Sequence, residues 1–163
     1  MKNSNASAPA LAPATAASAP TAVVKDLTRI LAETFALAVK THGAHWNVRG
    51  PGFFRLHAAF EEQYQELYLA ADELAERIRA LGQDAPSSLR QLADLSAEGD
   101  IPRADDQAMV RALRDDHRRL AQRLRDAISG AQDAGDEGTA DLMIGREKSH
   151  DKTAWMLSAT LNE

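Results

Sequence analysis

THGAHWNVRGPGFFRLHAAFEEQYQELYLAADELAERIRALG, residues 41–82, is the stretch from which the rest of the chain can be read. Phe60, Tyr64, Leu67, Ala71, Leu74, Ile78 and Leu81 recur in steps of four and three, which stacks them on one side of a helix. Gly82 follows the last of them and suits a helix C-terminus, because it accepts a positive φ without strain. Gly50, Pro51 and Gly52 break the pattern at the other end. The polar residues are as regular. His57 and Glu61 lie four apart, and so do Asp72 and Glu76, the spacing that puts two side chains on one helix face. His45 stands just ahead of the glycine–proline turn. Imidazole with carboxylate is a donor set suited to iron, manganese or zinc.

Helical geometry limits how these groups can act together. At about 100° per residue from Phe60, the apolar seam stays within roughly 60°. On that scale His57 falls at about 60°, Glu61 at about 100°, Asp72 at about 120° and Glu76 at about 160°. All four share a flank between core and water, with Glu62, Glu66 and Glu73 further round. Yet His57 and Asp72 are about 22 Å apart along the helix axis, too far to hold one ion. They would meet if the helix packed antiparallel against a copy of itself about a two-fold axis, so that each half-site faces the other. The plainer reading is a solvated acidic flank making i,i+4 ion pairs. Spacing leaves both open.

Composition bounds the alternatives. A chain of 163 residues is expected to form one domain with its own core. With 44% hydrophobic and 26% charged residues it reads as soluble and globular. A formal charge of -5 gives no electrostatic support to a nucleic-acid partner. The absence of cysteine excludes disulfides, thiolate metal sites and cysteine nucleophiles. No apolar run approaches the roughly 18 residues of a membrane span. Dinucleotide, P-loop and GxSxG signatures are absent as well.

Residues 1–20 form a separate zone of Ala, Pro, Ser, Thr and Asn. Ala17-Ser18-Ala19 resembles a signal-peptidase site, but no apolar core segment precedes it. The expectation is a disordered tail followed by a bundle domain over 21–163, in the cytoplasm. Beyond the tail, Val24, Leu27, Leu31, Thr34, Ala38, Thr41 and His45 mark a first helix, with Thr21 as its expected N-cap. SSLRQLADLS, capped by Ser87 or Ser88, fits a short helix in the long connection after Gly82. A third long helix runs from Val110 through Leu113, His117, Leu120, Leu124 and Ala127, ending near Gly130 or shortly after. A fourth, expected to be capped by Thr139, carries Met143, Glu147, His150, Ala154, Leu157 and Leu161. Four long helices, no strand and a crossover between the second and third predict an all-α, ferritin-like four-helix bundle with a short helix in that crossover.

The words around the ligand candidates resemble a known family. His-Trp-Asn, Gly-Pro-x-Phe-Phe, Leu-His and Asp-x-x-x-Glu before Arg-x-x-x-Leu-Gly are similar to the signature of the Dps proteins, the DNA-protection-during-starvation proteins or mini-ferritins. REKSHDKTAWML matches a second block, so the likeness covers roughly residues 22 to 161. The resemblance implies a hollow homododecamer that oxidises Fe(II), preferentially with hydrogen peroxide, and stores a ferric mineral, protecting against oxidative stress. It places a ferroxidase centre at the two-fold interface, with His45, His57 and Glu61 from one chain and Asp72 and Glu76 from its mate. Many relatives have Asp where Glu61 stands, and either carboxylate ligates iron. Trp46 would pack beside the site and help quench electron leakage. Asp141, with Asp136 and Glu137, falls where the family lines its three-fold pores, although acids at a helix start are also simple dipole caps.

Several residues carry a second reading. Glu147-Lys-Ser-His150 is an ExxH motif of the kind that binds two irons inside larger ferritin-like bundles. Helix two offers no second copy, so His150 with His117 reads as a hydrogen-bonded polar cluster in the core. His42 reads as accessory or surface, and Trp155 as packing. The alternative function is a DNA-compacting nucleoid protein with iron chemistry secondary. Against it, the tail holds only Lys2 as a cation, and the chain ends Leu-Asn-Glu. Weak or absent DNA binding is expected.

Overall fold

The computed structural model describes residues 21–96, 99–102 and 105–161. The expected tail, residues 1–20, lies outside them. The described residues form five helices and no strand: α1 Thr21–Asn47, α2 Phe53–Ala80, α3 Leu89–Leu95, α4 Asp106–Asp133 and α5 Glu137–Ser158. The short connections fold α1 with α2 and α4 with α5 into two hairpins. These pack mainly through α1 against α4, with α3 lying on α1, while α2 and α5 touch least. The result is the four-helix bundle that the periodicity predicts.

The core follows the same periodicity. Phe60, Leu67, Leu74 and Ile78 of α2 are fully buried, as are Leu27 of α1, Leu120 of α4 and Met143 of α5. Burying a side chain of this size stabilises the fold by about 1.5–3 kcal/mol. Charged side chains also cross the core. Glu33 is 1% exposed and receives Arg123 from α4 at 2.6 Å. Lys40 of α1 meets the buried Asp116 of α4 at 2.6 Å. Each pair ties α1 to α4 at one height, which sets the register between the hairpins.

Helix ends follow local chemistry. Ser88 caps α3, its hydroxyl accepting from the Gln91 N–H. Gly82 closes α2 at φ 81°, and the Gln83 N–H reaches back to the Ile78 carbonyl. One expectation needs correction. The cap of α5 is Asp136, not Thr139, because the carboxylate accepts from both the N–H and the hydroxyl of Thr139. The helix therefore starts three residues earlier, at Glu137. α4 ends at Asp133, shortly after Gly130 as expected, and the residue that turns left-handed is Gly135, at φ 71°.

Candidate metal centre

The α1–α2 turn is short because Gly50 adopts φ 102°, a conformation closed to most side chains. The Phe53 N–H then bonds the Gly50 carbonyl, and α2 starts directly beside the end of α1. Gly52 is buried in the same turn, where an added Cβ would come within 2.8 Å of the Asp106 carboxylate. This packing brings His45, in the last turn of α1, against His57, in the second turn of α2.

The two imidazoles stack at 3.7 Å between centroids, 20° from parallel. Their hydrogen bonds are reciprocal. His45 Nδ1 lies 2.8 Å from the His57 carbonyl, and His57 Nδ1 lies 2.9 Å from the His45 carbonyl. A carbonyl only accepts, so both Nδ1 atoms must carry the proton. Each Nε2 is thereby left as a bare lone pair in a ring that cannot turn. Phe53 stacks on His57 from the other side, at 5.0 Å.

Glu61 is exposed one turn beyond His57 and accepts only a long contact of 3.5 Å from Gln65. Asp72 and Glu76 are exposed further along α2. Asp72 borders a hollow of ≈ 250 Å³ with Leu31, Phe35, Tyr68 and Pro86. Among the described residues of one chain, no three imidazole or carboxylate groups converge where a cation could sit. The single chain carries two separate groups of candidate ligands, one where α1 meets the start of α2 and one further along α2.

Trp46 is 67% exposed. It packs on His42 at 4.1 Å, and His42 stacks in turn on Tyr64 at 3.9 Å, 16° from parallel. His42 is thus half-buried between two aromatic rings: Trp46 is its i+4 neighbour on α1, while Tyr64 comes from α2, a contact that helical periodicity does not signal. Trp155 is also 67% exposed, so its packing partner, if it has one, is not in its own chain's core.

At the start of α5, Asp136 forms an ion pair with Arg77 of α2 at 2.5 Å. Burial alone would raise its pKa, but the bonds from Thr139 and Arg77 outweigh that and hold it below the usual carboxylate range. Glu137 and Asp141 are exposed beside it. Glu147 is engaged by Arg125 at 2.9 Å, while His150 meets His117 in the core, Nδ1 to Nδ1 at 2.8 Å.

Comparison with known proteins assigns the family. A ferritin-like domain model matches residues 24–163. The DNA protection during starvation protein 2 of Bacillus anthracis is 35% identical over 86% of this chain and 97% of its own length. The crystal structure of Dps from Staphylococcus aureus superposes with a TM-score of 0.86 at 36% identity, covering 90% of this chain and 99% of that one. A Dps protein from Vibrio cholerae O1, described as a member of a broad superfamily of ferritin-like diiron-carboxylate proteins, gives a TM-score of 0.76 at 35% identity over 84% and 87% of the two chains. With its bundle, its short crossover helix and these likenesses, the chain belongs to the Dps family of ferritin-like proteins.

Proposed function

We propose that this protein is a ferroxidase and iron store, which oxidises Fe(II) at sites shared between two subunits and holds the ferric product inside a hollow dodecamer. One observation carries the reading: the reciprocal bonds of His45 and His57, which set both free Nε2 atoms as ligands before any metal arrives. His45, His57 and Glu61 form one half-site; Asp72 and Glu76 of the partner subunit form the other. Leu69 supports an interface along this face. It lies between the two half-sites in sequence and is 69% exposed, an apolar side chain suited to cover by a second chain.

The chemistry follows from the donors. Three carboxylates stabilise the higher charge of Fe(III), while two imidazoles leave a weak, open shell that iron can enter and leave. Hydrogen peroxide is the preferred oxidant in this reading. Cleaving its O–O bond to water takes two electrons, one from each of two Fe(II) ions, so no hydroxyl radical is released. Trp46, with His42 and Tyr64 stacked beyond it, would take up an electron hole if only one iron is present. Glu137 and Asp141, exposed at the start of α5, are the pore carboxylates of this scheme; Asp136 is committed to its cap and to Arg77. The relatives' name mentions DNA protection, and removing Fe(II) and peroxide together protects DNA without contact.

The test is His45→Ala with His57→Ala. Fast peroxide-driven Fe(II) oxidation, followed by stopped-flow, is expected to disappear while the assembly keeps its mass. Unchanged initial rates would overturn the assignment.

A further inference from the structure

Val39 of α1 and Leu89 of α3 are 49% and 73% exposed, although both are apolar. They line a groove of ≈ 430 Å³ that α1 and α3 form together, with Ala36 and Gly43 on the α1 side and Leu92 and Ile101 on the other. An added Cβ on Gly43 would meet nothing within 4 Å, so this face of α1 is open to whatever approaches it. Lys40 lies in the same groove, but Asp116 neutralises it within the chain at 2.6 Å. Asp100, which also borders the groove, is exposed and stays hydrated there. Contiguous apolar surface of this kind marks a place where another surface docks.

The position of the groove says what covers it. When antiparallel copies of α2 bring His57 and Glu61 of one chain level with Glu76 and Asp72 of the other, both pairs are centred between residues 66 and 67. The two-fold axis therefore crosses α2 there. Ring contacts fix the matching level of α1: Phe35 lies against Tyr68 at 5.7 Å, and His42 against Tyr64 at 3.9 Å. Residues 66 and 67 are thus level with the turn of α1 between Phe35 and Val39, and the groove runs along that turn. A patch on a two-fold axis meets its own copy, so it has to be complementary to itself. An apolar groove beside an exposed leucine meets that condition. We propose that the α1–α3 groove is the docking site for a second copy of this chain, each Leu89 seating in the groove of its partner. The proposal rests on the shared-site reading and deepens it. α3 packs on α1, and α1 carries His45, so closing the two grooves sets how near the histidines of one chain come to the acids of the other. Leu89 is a positioning residue for the iron site, acting through the interface and not on the ion.

Leu89→Glu in the full chain tests it. Leu89 is exposed in the subunit, so the helix content read by circular dichroism should not change. Across the axis the same substitution buries an unpaired carboxylate from each chain. Native mass spectrometry is expected to show loss of the wild-type assembly, and peroxide-driven Fe(II) oxidation by stopped-flow a fall of at least about tenfold. Leu89→Met keeps an apolar side chain of similar volume and should keep both mass and rate. Wild-type mass for Leu89→Glu, whatever its rate, overturns the proposal. So does a lost assembly that still oxidises iron at the wild-type rate, or an equal loss of assembly in Leu89→Met. The shared-site reading fails separately, if His45→Ala with His57→Ala keeps its mass and its rate. If Leu89→Glu does not fold, a crystal structure of the unmodified assembly decides. Leu89 seated against the partner's Val39 is the expected result; a groove left open, or filled by residues 1–20 or by another partner, overturns the proposal.

Discussion

His45 and His57 illustrate what a single residue can and cannot disclose. Their type, and the i,i+4 partner of His57, are legible in the sequence. Their mutual locking is not, because it joins residues twelve apart through backbone carbonyls and exists only once the Gly50 turn is made. His42 shows the same limit in part: Trp46 is its i+4 neighbour on α1, but its stacking on Tyr64 depends on how α1 meets α2. Glu61 allows a sharper test, because it is exposed and its contact with Gln65 is long. Removing a unit charge about 4 Å from a divalent ion forfeits about 8 kcal/mol at the effective dielectric near a protein surface, before water and counterions compensate. Glu61→Gln is therefore expected to slow Fe(II) oxidation at limiting iron by at least about tenfold. Glu61→Asp, which keeps the charge, should stay within about threefold. Equal rates for the two variants, measured by stopped-flow, would remove Glu61 from the site.

Element by element, the apolar spacing of four and three predicts α1, α2, α4 and α5, because burial of one stripe is what makes a helix pay in a bundle. What spacing does not carry is the charge buried between elements. Glu33 and Asp116 look like surface acids in a sequence, and only the approach of α1 to α4 gives them Arg123 and Lys40. The start of α5 was misplaced for a related reason: Thr139 is a good cap by type, but Asp136 outcompetes it with two bonds to Thr139 and one to Arg77. Asp136→Ala is expected to cost about 1–2 kcal/mol, read as a lower melting temperature, and Asp136→Asn less. An unchanged melting temperature for the alanine variant would mean that the cap is not holding α5. The core histidines add a pH dependence to the stability of the fold. Burial, opposed by Asp116 and reinforced by Arg146, lowers the His117 pKa to about 4. That folded value lies below the unfolded one of about 6.5, so the stability it contributes is complete above about pH 6.5 and is lost as pH falls towards 4. The loss is on the order of 3 kcal/mol for His117 alone. Thermal unfolding across that window should show it, and His117→Phe should flatten the slope; an equally steep slope in the variant would place the titration elsewhere.

For the whole molecule, the separation of the half-sites is the constraint that decides the most. His57 and Asp72 are fifteen positions apart on α2, about 22 Å of helix, and no rotation of side chains closes that gap. Phe54 and Leu69 of α2, Leu89 of α3 and Trp155 of α5 are all about two-thirds exposed or more, as expected of a subunit with more than one contact face in a closed shell. A net charge of -5, multiplied over such a shell, opposes polyphosphate, so a gel shift at low salt and neutral pH is expected to show no tight DNA complex. The shared site itself has a stoichiometric signature. Chains carrying His45→Ala with His57→Ala lack one half-site, and chains carrying Asp72→Asn with Glu76→Gln lack the other. Neither assembly should oxidise iron quickly alone. Refolded together in equal amounts, about half of the random dimers pair one chain of each kind. In such a dimer one site loses both halves, while the other combines the intact histidines of one chain with the intact acids of its partner. Two sites per dimer, one of them whole in half of the dimers, leaves about a quarter of the wild-type number. Stopped-flow oxidation by peroxide should therefore recover to about a quarter of the wild-type initial rate on mixing. A mixture as slow as its two parents would mean that the acids and the histidines never share an ion across the interface.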